Sequence, residues 1–178
     1  MNKKTLNSEL DRLTIEEFKS EEKSPLIVIL DNIRSLANIG SVFRTSDAFR
    51  IEKIYLCGYT ATPPNKDIAK TALGATKSMD WEHREDILVL IEELKSENVD
   101  VYSIEQTSDS IMLDEFQPKK DIKTAVIFGN EVQGVQQTVI DASTGVIEIP
   151  QIGTKHSLNI SVSNGVVLWD LFAKLKNN

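Results

Sequence analysis

Three polar clusters in this sequence contain the residue types best suited to chemistry, and each one follows an apolar, strand-like run. They are NIGSVFR at 38–44, FGNEVQG at 128–134 and QIGTKHSLNISVSNGV at 151–166. In parallel α/β sheets, ligands bind just beyond the carboxyl ends of the strands. We therefore expect the functional side chains to lie in these three clusters.

The first cluster puts a glycine and an arginine on one helix face. Gly40 and Arg44 are four residues apart, which makes them neighbours along a helix. The missing glycine side chain leaves room for an anionic group such as phosphate beside the guanidinium. A helix that begins at Asn38 would add a favourable dipole. An ordinary helix cap followed by a surface arginine explains the same residues equally well.

The second cluster places an acid between two glycines. Gly129 and Gly134 bracket a turn that leaves a buried strand, and their backbone can approach a ligand closely. Glu131 lies at the predicted entry of the next helix. An acid at that position is also a common capping residue, so this cluster by itself indicates either a site or a cap.

The third cluster alternates polar and apolar residues over a short stretch. If the stretch is extended, Ser157 and Asn159 point to one side and Leu158 and Ile160 to the other. That pattern predicts a polar face directed at a ligand. A serine-rich loop before a helix is the alternative explanation.

The segments around these clusters alternate between strand and helix patterns. Apolar, β-branched runs predict strands at 25–30, 53–58, 99–106, 124–129 and 145–150. Amphipathic patterns predict helices at 39–49 with Asn38 as N-cap, 65–74, 84–98, 135–142 and 164–176, while 78–83 is ambiguous. The alternation predicts an α/β fold, with a mostly parallel sheet and helices on both faces.

The first 24 residues predict a helical extension that precedes the α/β domain. The apolar residues of this segment would form a stripe along a helix: Leu6, Leu10, Leu13 and Phe18. A proline then ends the segment. We expect an N-terminal helical extension over 1–24 and one domain over 25–178, since the chain length of 178 residues fits a single domain.

Composition excludes several classes of protein. Cys57 is the only cysteine, so an internal disulfide is impossible and a reducing, cytoplasmic location is expected. With only His83 and His156 besides, no metal site is expected. The sequence has neither a signal peptide nor an apolar run that could span a membrane. The net charge of −7 argues weakly against broad, non-specific nucleic-acid binding.

The common glycine-rich nucleotide motifs are missing. No G-x-G-x-x-G follows the first strand, and no G-x-x-x-x-G-K-[ST] occurs. Their absence disfavours dinucleotide and nucleoside-triphosphate binding as well as the usual Rossmann-type methyltransferases. No G-x-S-x-G nucleophile motif is present either.

Taken in order, the three clusters resemble the three motifs of the SpoU/TrmH family, part of the SPOUT methyltransferases. NIGSVFRT is similar to motif one, IFGNEVQGV to motif two, and IEIPQIGTKHSLNISVSNGVVLW to motif three, over about 25–175. The resemblance implies a deep C-terminal trefoil knot that holds S-adenosylmethionine and a homodimer that completes the active site. It further implies methyl transfer to a ribose 2′-hydroxyl of RNA, with S-adenosylhomocysteine as the other product.

The resemblance also assigns roles to particular residues. The residues it implies for catalysis are Arg44, Asn38, Glu131, Ser157 and Asn159, and those it implies for cofactor binding are Glu105, Gly129, Asn130, Gly134, Ile149 and Leu158. A guanidinium is practically never deprotonated, so for Arg44 we expect positioning and charge stabilisation. One departure is Asn164, where the family usually has a small residue.

Three functional hypotheses follow. The first is an RNA ribose 2′-O-methyltransferase acting on tRNA or rRNA. YSIEQTSDSIML and NEVQG resemble tRNA-directed members that act on the D-loop guanosine. The second is a non-catalytic RNA-binding module that senses the cofactor, and the third is an unrelated α/β nucleotide-binding domain. The presence of Arg44, Glu131 and Asn159 favours the enzyme.

Overall fold

A parallel sheet of seven strands forms the centre of the fold. The computed structural model describes residues 2–6 and 9–177. In chain order, its strands are β1 Ser24–Asp31, β2 Ile51–Cys57, β3 Trp81–Arg84, β4 Asp100–Ile104, β5 Ile111–Met112, β6 Thr124–Phe128 and β7 Gly145–Glu148. Their order across the sheet is β3-β2-β1-β6-β4-β7-β5.

Helices cover both faces of this sheet. They are α1 Ile15–Ser20, α2 Leu36–Ala48, α3 Lys66–Ala72, α4 Ala75–Ser78, α5 Ile87–Ser96, α6 Gln137–Ala142 and α7 Ile160–Asn177. Successive residues of β1 point to opposite faces of the sheet. Val28 and Leu30 pack with α2, α3 and α7, and Ile27 and Ile29 pack with α5 and α6. The predicted α/β class, with helices on both faces, is confirmed. Within the described ranges, no helix is long and apolar enough to cross a membrane.

The five predicted strands are all present, but two further strands were not predicted. The ambiguous segment at 78–83 contributes the start of β3, and β5 has only two residues. Both lie at the edges of the sheet, where a strand needs less apolar sequence because only one neighbour pairs with it. Their patterns were consequently too weak to stand out from loops.

The helix of the first polar cluster begins earlier than predicted. Asn38 is not its N-cap; α2 starts at Leu36, and Ser35 caps it by accepting a hydrogen bond from the Asn38 amide at 3.3 Å. Asn38 therefore lies inside the first turn and is buried. This placement frees its side chain for contacts outside its own helix.

The N-terminal segment is less helical than its pattern predicted. Among the described residues of this segment, Ile15–Ser20 is the only α-helix, introduced by a capping box between Thr14 and Glu17. Leu6, Leu10 and Leu13 stay exposed, whereas Phe18 is buried against the core. Short helices are marginal without tertiary packing, and here only Phe18 supplies it. Residues 1, 7 and 8 of the predicted extension lie outside the described residues.

The sheet topology creates a crevice where the polar clusters meet. β1 and β6 are adjacent and parallel, paired from Leu26 with Thr124 to Leu30 with Phe128. β1 continues through α2 to β2 on one side, and β6 continues through α6 to β7 on the other. Connections that leave neighbouring strands in opposite directions open a crevice beyond their carboxyl ends. The first two clusters follow β1 and β6 and therefore lie at this crevice.

The C-terminal helix carries a buried amide without a partner. Asn164 is fully buried on α7, and neither its Nδ2 nor its Oδ1 has a hydrogen-bond partner among the described residues. Its helix packs into the core through Val167, Leu168 and Leu171. A buried polar group without a partner destabilises a fold by about 1–3 kcal/mol. The departure from a small residue at this position thus lowers stability.

We expect Asn164→Ala to raise the free energy of unfolding by about 1–2 kcal/mol, because it removes both unpaired polar atoms. Asn164→Leu, which has the same number of side-chain heavy atoms, tests the same point without leaving a cavity. Urea unfolding followed by circular dichroism measures both variants against the unmodified protein. A loss of stability in both would mean that the amide is hydrogen-bonded, for instance to a buried water.

Candidate active site

A chain of side-chain hydrogen bonds joins the three polar clusters. The Asn38 Nδ2 donates to Glu131 Oε1 at 3.3 Å, and the Asn159 Nδ2 donates to Asn38 Oδ1 at 3.1 Å. These partners are 93 and 121 residues apart in the sequence. The fold therefore brings one predicted residue of each cluster into a single polar network, which we call the Glu131–Asn38–Asn159 chain.

Glu131 binds the segment that leads into α2. Its carboxylate accepts hydrogen bonds from the backbone amides of Arg34 at 3.0 Å and Ser35 at 2.9 Å. Burial alone would raise the pKa of Glu131, but these amides and Asn38 outweigh it and lower the pKa below its usual value. An ionised carboxylate at a helix N-terminus is also favoured by the helix dipole. Glu131 thus links the β6 turn to the β1 turn.

Asn159 starts the C-terminal helix while it contacts Asn38. Its Oδ1 accepts hydrogen bonds from the Ser161 amide at 2.9 Å and the Ser161 hydroxyl at 2.6 Å. This capping explains why α7 begins at Ile160, four residues before the predicted start at 164. The extended alternation predicted around Ser157 is wrong, because 149–159 is an irregular loop and 160 is already helical.

A cleft of about 300 Å³ opens beside this chain, above the ends of β4, β6 and β7. Its walls contain all six residues predicted to bind a cofactor, together with Glu131 and Ser157 from the predicted catalytic set. The lining residues are Ile104, Glu105, Gln106, Phe128, Gly129, Asn130, Glu131, Val132, Gln133, Gly134, Ile149, Gln151, Ser157, Leu158, Ile160 and Ser163. Two of them are carboxylates and none is a lysine or arginine.

Two glycines allow the tight turn at the wall of this cleft. A Cβ on Gly129 would lie 2.3 Å from the backbone carbonyl of Gly134, and a Cβ on Gly134 would lie 2.2 Å from Glu105 Oε2. Gly134 also has a φ of +67°, which strains any other residue type. Both glycines are therefore required for the shape of the turn, in addition to the cofactor role predicted for them.

The side chains of Asn130 and Glu105 are engaged in holding loops. Asn130 Nδ2 donates to the Asn32 carbonyl at 2.9 Å and to the Tyr59 hydroxyl at 2.7 Å. Glu105 accepts from the amides of Val135 at 3.0 Å and Gln106 at 2.9 Å. The sequence predicted ligand contacts at both positions. The sequence did not predict the partners on other loops. The only sign in the sequence was that both residues are polar and come just after a strand.

Arg44 is the predicted catalytic residue that neither lines the cleft nor belongs to the Glu131–Asn38–Asn159 chain. It lies on the exposed side of α2, six residues beyond Asn38 and so about 9 Å further along the helix axis. It lines a neighbouring groove between α2 and α7 that also contains Ser41 and Ser161. Within one chain, Arg44 is thus separate from the Glu131–Asn38–Asn159 chain. Among the residues described, no three His, Cys, Asp or Glu side chains are grouped to hold a metal.

Comparisons with known proteins identify similar sequences. The model of the SpoU rRNA Methylase family matches residues 25–169. An uncharacterized tRNA/rRNA methyltransferase of Borreliella burgdorferi is 29% identical over 174 residues, covering 98% of this chain and 74% of the relative. A Staphylococcus aureus protein assigned to TrmH-family tRNA/rRNA methyltransferases is 26% identical, and the match covers 90% of this chain but only 63% of the relative.

Solved structures share the fold. The TrmH/SpoU tRNA modifying enzyme of A. aeolicus superimposes with a TM-score of 0.80 at 23% identity, over 92% of this chain and 81% of that one. An rRNA methyltransferase of Sinorhizobium meliloti, solved with AdoMet bound, gives a TM-score of 0.76 at 23% identity, over 84% of this chain and 56% of that one.

The ionised state of Glu131 predicts how stability depends on pH. Because the folded-state pKa of Glu131 is lowered from 4.5, its contribution is present above pH 4.5 and is lost as pH falls through the lowered value. Glu131→Gln should therefore be less stable than the unmodified protein at neutral pH, and this difference should shrink in acid. Urea unfolding at several pH values measures it. Glu92→Gln, an exposed residue on α5, is the control, and a pH-independent difference would contradict the assignment.

Proposed function

This chain belongs to the SpoU rRNA methylase family, and on that premise we propose that it transfers a methyl group from S-adenosylmethionine to a ribose 2′-hydroxyl of RNA. The observation that carries the proposal is the Glu131–Asn38–Asn159 chain, which joins all three clusters at the edge of a cleft. The matched relatives are named tRNA/rRNA methyltransferases. Since the chain spans only part of their length, the activity and substrate of the whole protein belong to this proposal.

The cleft fits the methyl donor by its chemistry. S-adenosylmethionine supplies an electrophilic methyl group on a positively charged sulfonium. Glu105 and Glu131 place carboxylates in a lining that contains no lysine or arginine, so the local charge favours a cation. Peptide groups of the turn at 129–134 and of the loop around Ile149 and Leu158 offer donors and acceptors for the polar ends of the ligand. These residues would hold the cofactor.

The side chains of the hydrogen-bonded chain would then position the substrate. Ionised Glu131 fixes the start of α2, and Asn38 and Asn159 fix each other, so these groups need little rearrangement when RNA binds. Ser157 lies in the cleft wall and is exposed, where its hydroxyl can hydrogen-bond a ribose oxygen. The proposed role of these side chains is to orient the ribose and to exclude its other orientations.

Arg44 would complete the site from a second copy of the chain. In one chain it does not line the cleft, and the family resemblance implies a homodimer. The exposed face of α7 supports such pairing, because Val162, Val166 and Trp169 are 51%, 39% and 59% exposed and recur at helical spacing. The groove lined by Arg44 adjoins this face through Ser161 and Phe49. A dimer formed here would place Arg44 at its interface and in reach of the partner.

The remaining family features are part of the same proposal. They are the deep trefoil knot in the C-terminal part of the chain and the division into an extension at 1–24 and a methyltransferase domain at 25–178. The family match begins at residue 25, which supports this boundary. The RNA class is tRNA or rRNA, with the D-loop guanosine of tRNA as the position to examine first.

Incubation with methyl-labelled S-adenosylmethionine and unmodified tRNA or rRNA transcripts should label the RNA. A methylated ribose blocks alkaline cleavage, so the label should appear in alkali-resistant dinucleotides, and sequencing of these products maps the position. Label in mononucleotides would show base methylation instead. Cofactor binding without transfer to either RNA would support the non-catalytic module.

Replacing Arg44 should reduce methyl transfer strongly without affecting cofactor binding. We expect Arg44→Ala to lower kcat by about 100-fold or more, the usual effect of removing one charge-stabilising donor. Lys120→Ala is the control. Lys120 is an exposed cation just before β6, so it lies at the amino ends of the strands, whereas the cleft lies at their carboxyl ends. A large loss of cofactor affinity in Arg44→Ala would show that the role is misassigned.

A mixture of two inactive variants tests whether Arg44 acts across a dimer. Asn159→Asp keeps an acceptor to cap α7 but loses the donor to Asn38, so we expect it to be inactive. Mixed dimers with Arg44→Ala would contain one intact site, and methyl transfer should return after the two proteins are unfolded and refolded together. If Arg44 acts within its own chain, no activity returns. Sedimentation of Trp169→Glu, expected at the 19.9 kDa of one chain, checks the interface separately.

A further inference from the structure

Three loops form one connected surface beside the cleft, and the third of them contains Glu131. They are residues 32–34 after β1, 58–60 after β2 and 130–132 after β6, and together we call them the loop ledge. The Ile33 amide donates to Thr60 Oγ1 at 2.9 Å, and that hydroxyl donates to the Leu30 carbonyl at 3.0 Å. The Tyr59 amide donates to Asn32 Oδ1 at 3.2 Å. These bonds fix the first two loops to each other.

The glycine of the second loop keeps the ledge in place. Gly58 has a φ of +60°, and a Cβ there would lie 2.2 Å from Asn32 Oδ1. Its amide donates to the Arg84 carbonyl at 3.0 Å, and its carbonyl lies 2.8 Å from His83 Nε2. The loop after β2 is therefore fixed to β1 on one side and to β3 on the other, and Tyr59 follows directly.

Tyr59 is an exposed ring that is held at both ends. Its amide is bound by Asn32, and its hydroxyl accepts a hydrogen bond from Asn130 Nδ2 at 2.7 Å, yet the residue is 61% exposed. Among residues 2–6 and 9–177, no other ring stacks on it. An aromatic side chain fixed in advance loses little conformational entropy on binding. The ring is thus prepared to stack on a ligand.

The neighbours of Tyr59 indicate the chemistry of that ligand. Arg34 is exposed, and its guanidinium makes no ion pair within the described part of the chain, while its amide is held by Glu131. Val132 is 78% exposed at the tip of the third loop. A fixed ring, an unpaired guanidinium and an apolar tip are the combination that binds unpaired nucleotides, through base stacking and phosphate contact.

The position of the ledge selects RNA as the occupant. Asn130, which fixes the Tyr59 hydroxyl, also lines the cleft, so a ligand on Tyr59 lies next to whatever enters the cleft. Resting on the function proposed above, we propose that the loop ledge binds an unpaired nucleotide adjacent to the methylated one. Its base stacks on the Tyr59 ring, and its phosphate contacts the Arg34 guanidinium. The ledge thereby selects target nucleotides in unpaired regions.

Steady-state methylation and filter binding with the mapped RNA test this proposal. We expect Tyr59→Leu to raise KM for RNA about tenfold, the usual effect of removing one stacking ring, with kcat and affinity for S-adenosylhomocysteine unchanged. Tyr59→Phe keeps the ring but loses the hydroxyl that Asn130 holds, so its KM should lie between those of the unmodified protein and Tyr59→Leu. Arg34→Gln should raise KM and reduce the dependence of binding on salt. Val89→Ala, exposed on α5 against the other face of the sheet, is the control.

An abasic substitution at the neighbouring nucleotide identifies the stacked base. It should weaken binding to the unmodified protein but have no further effect on Tyr59→Leu, because the two changes remove the same contact. If Tyr59→Leu has the KM of Val89→Ala while the unmodified protein methylates RNA, the ledge proposal alone is wrong. If the unmodified protein neither binds S-adenosylhomocysteine nor methylates RNA, the proposed function is wrong, and the ledge proposal with it.

Discussion

The candidate site depends on one carboxylate that is held by backbone amides. Glu131 leaves the turn after β6 and accepts hydrogen bonds from the segment that leads into α2. The strands themselves pair only as far as Leu30 and Phe128. Beyond that point, Glu131 and the bond from Asn130 to the Asn32 carbonyl join the two sides of the crevice. The same carboxylate fixes Asn38, and Asn38 fixes Asn159. Glu131, whose sequence position also suits an ordinary helix cap, is therefore the centre of a network between three distant segments.

The sequence predicted the elements better than it predicted their ends. Continuous β-branched runs such as 25–30 predicted strands correctly, since burial on both faces requires apolar residues at every position. Helix starts were less certain because several nearby residues can cap. Ser35 rather than Asn38 caps α2, and Asn159 starts α7 earlier than the apolar pattern indicated. Short edge strands such as β5 have too few residues to produce a pattern.

The site was predicted by residue type and resemblance, and its geometry was not. No spacing rule relates Glu131, Asn38 and Asn159, because the sheet topology alone brings them together. No sequence pattern singles out Tyr59, since its fixed position arises from hydrogen bonds to Asn32 and Asn130 on other loops. The net charge of −7 does not describe how charge is distributed around the cleft. Acidic residues line the cleft, whereas Arg34 and Arg44 are exposed around it.

The dual use of Asn159 has a consequence for synthesis of the protein on the ribosome. Glu131 and Asn38 emerge from the ribosome before Asn159 does, so the first contact of the network can form while the last helix is still missing. Only when the chain beyond residue 159 is available can α7 start, and the amide that caps it completes the network in the same event. A nascent chain interrupted before this point would contain all seven strands described here but could not complete the network. The network is therefore complete only once the final helix has begun.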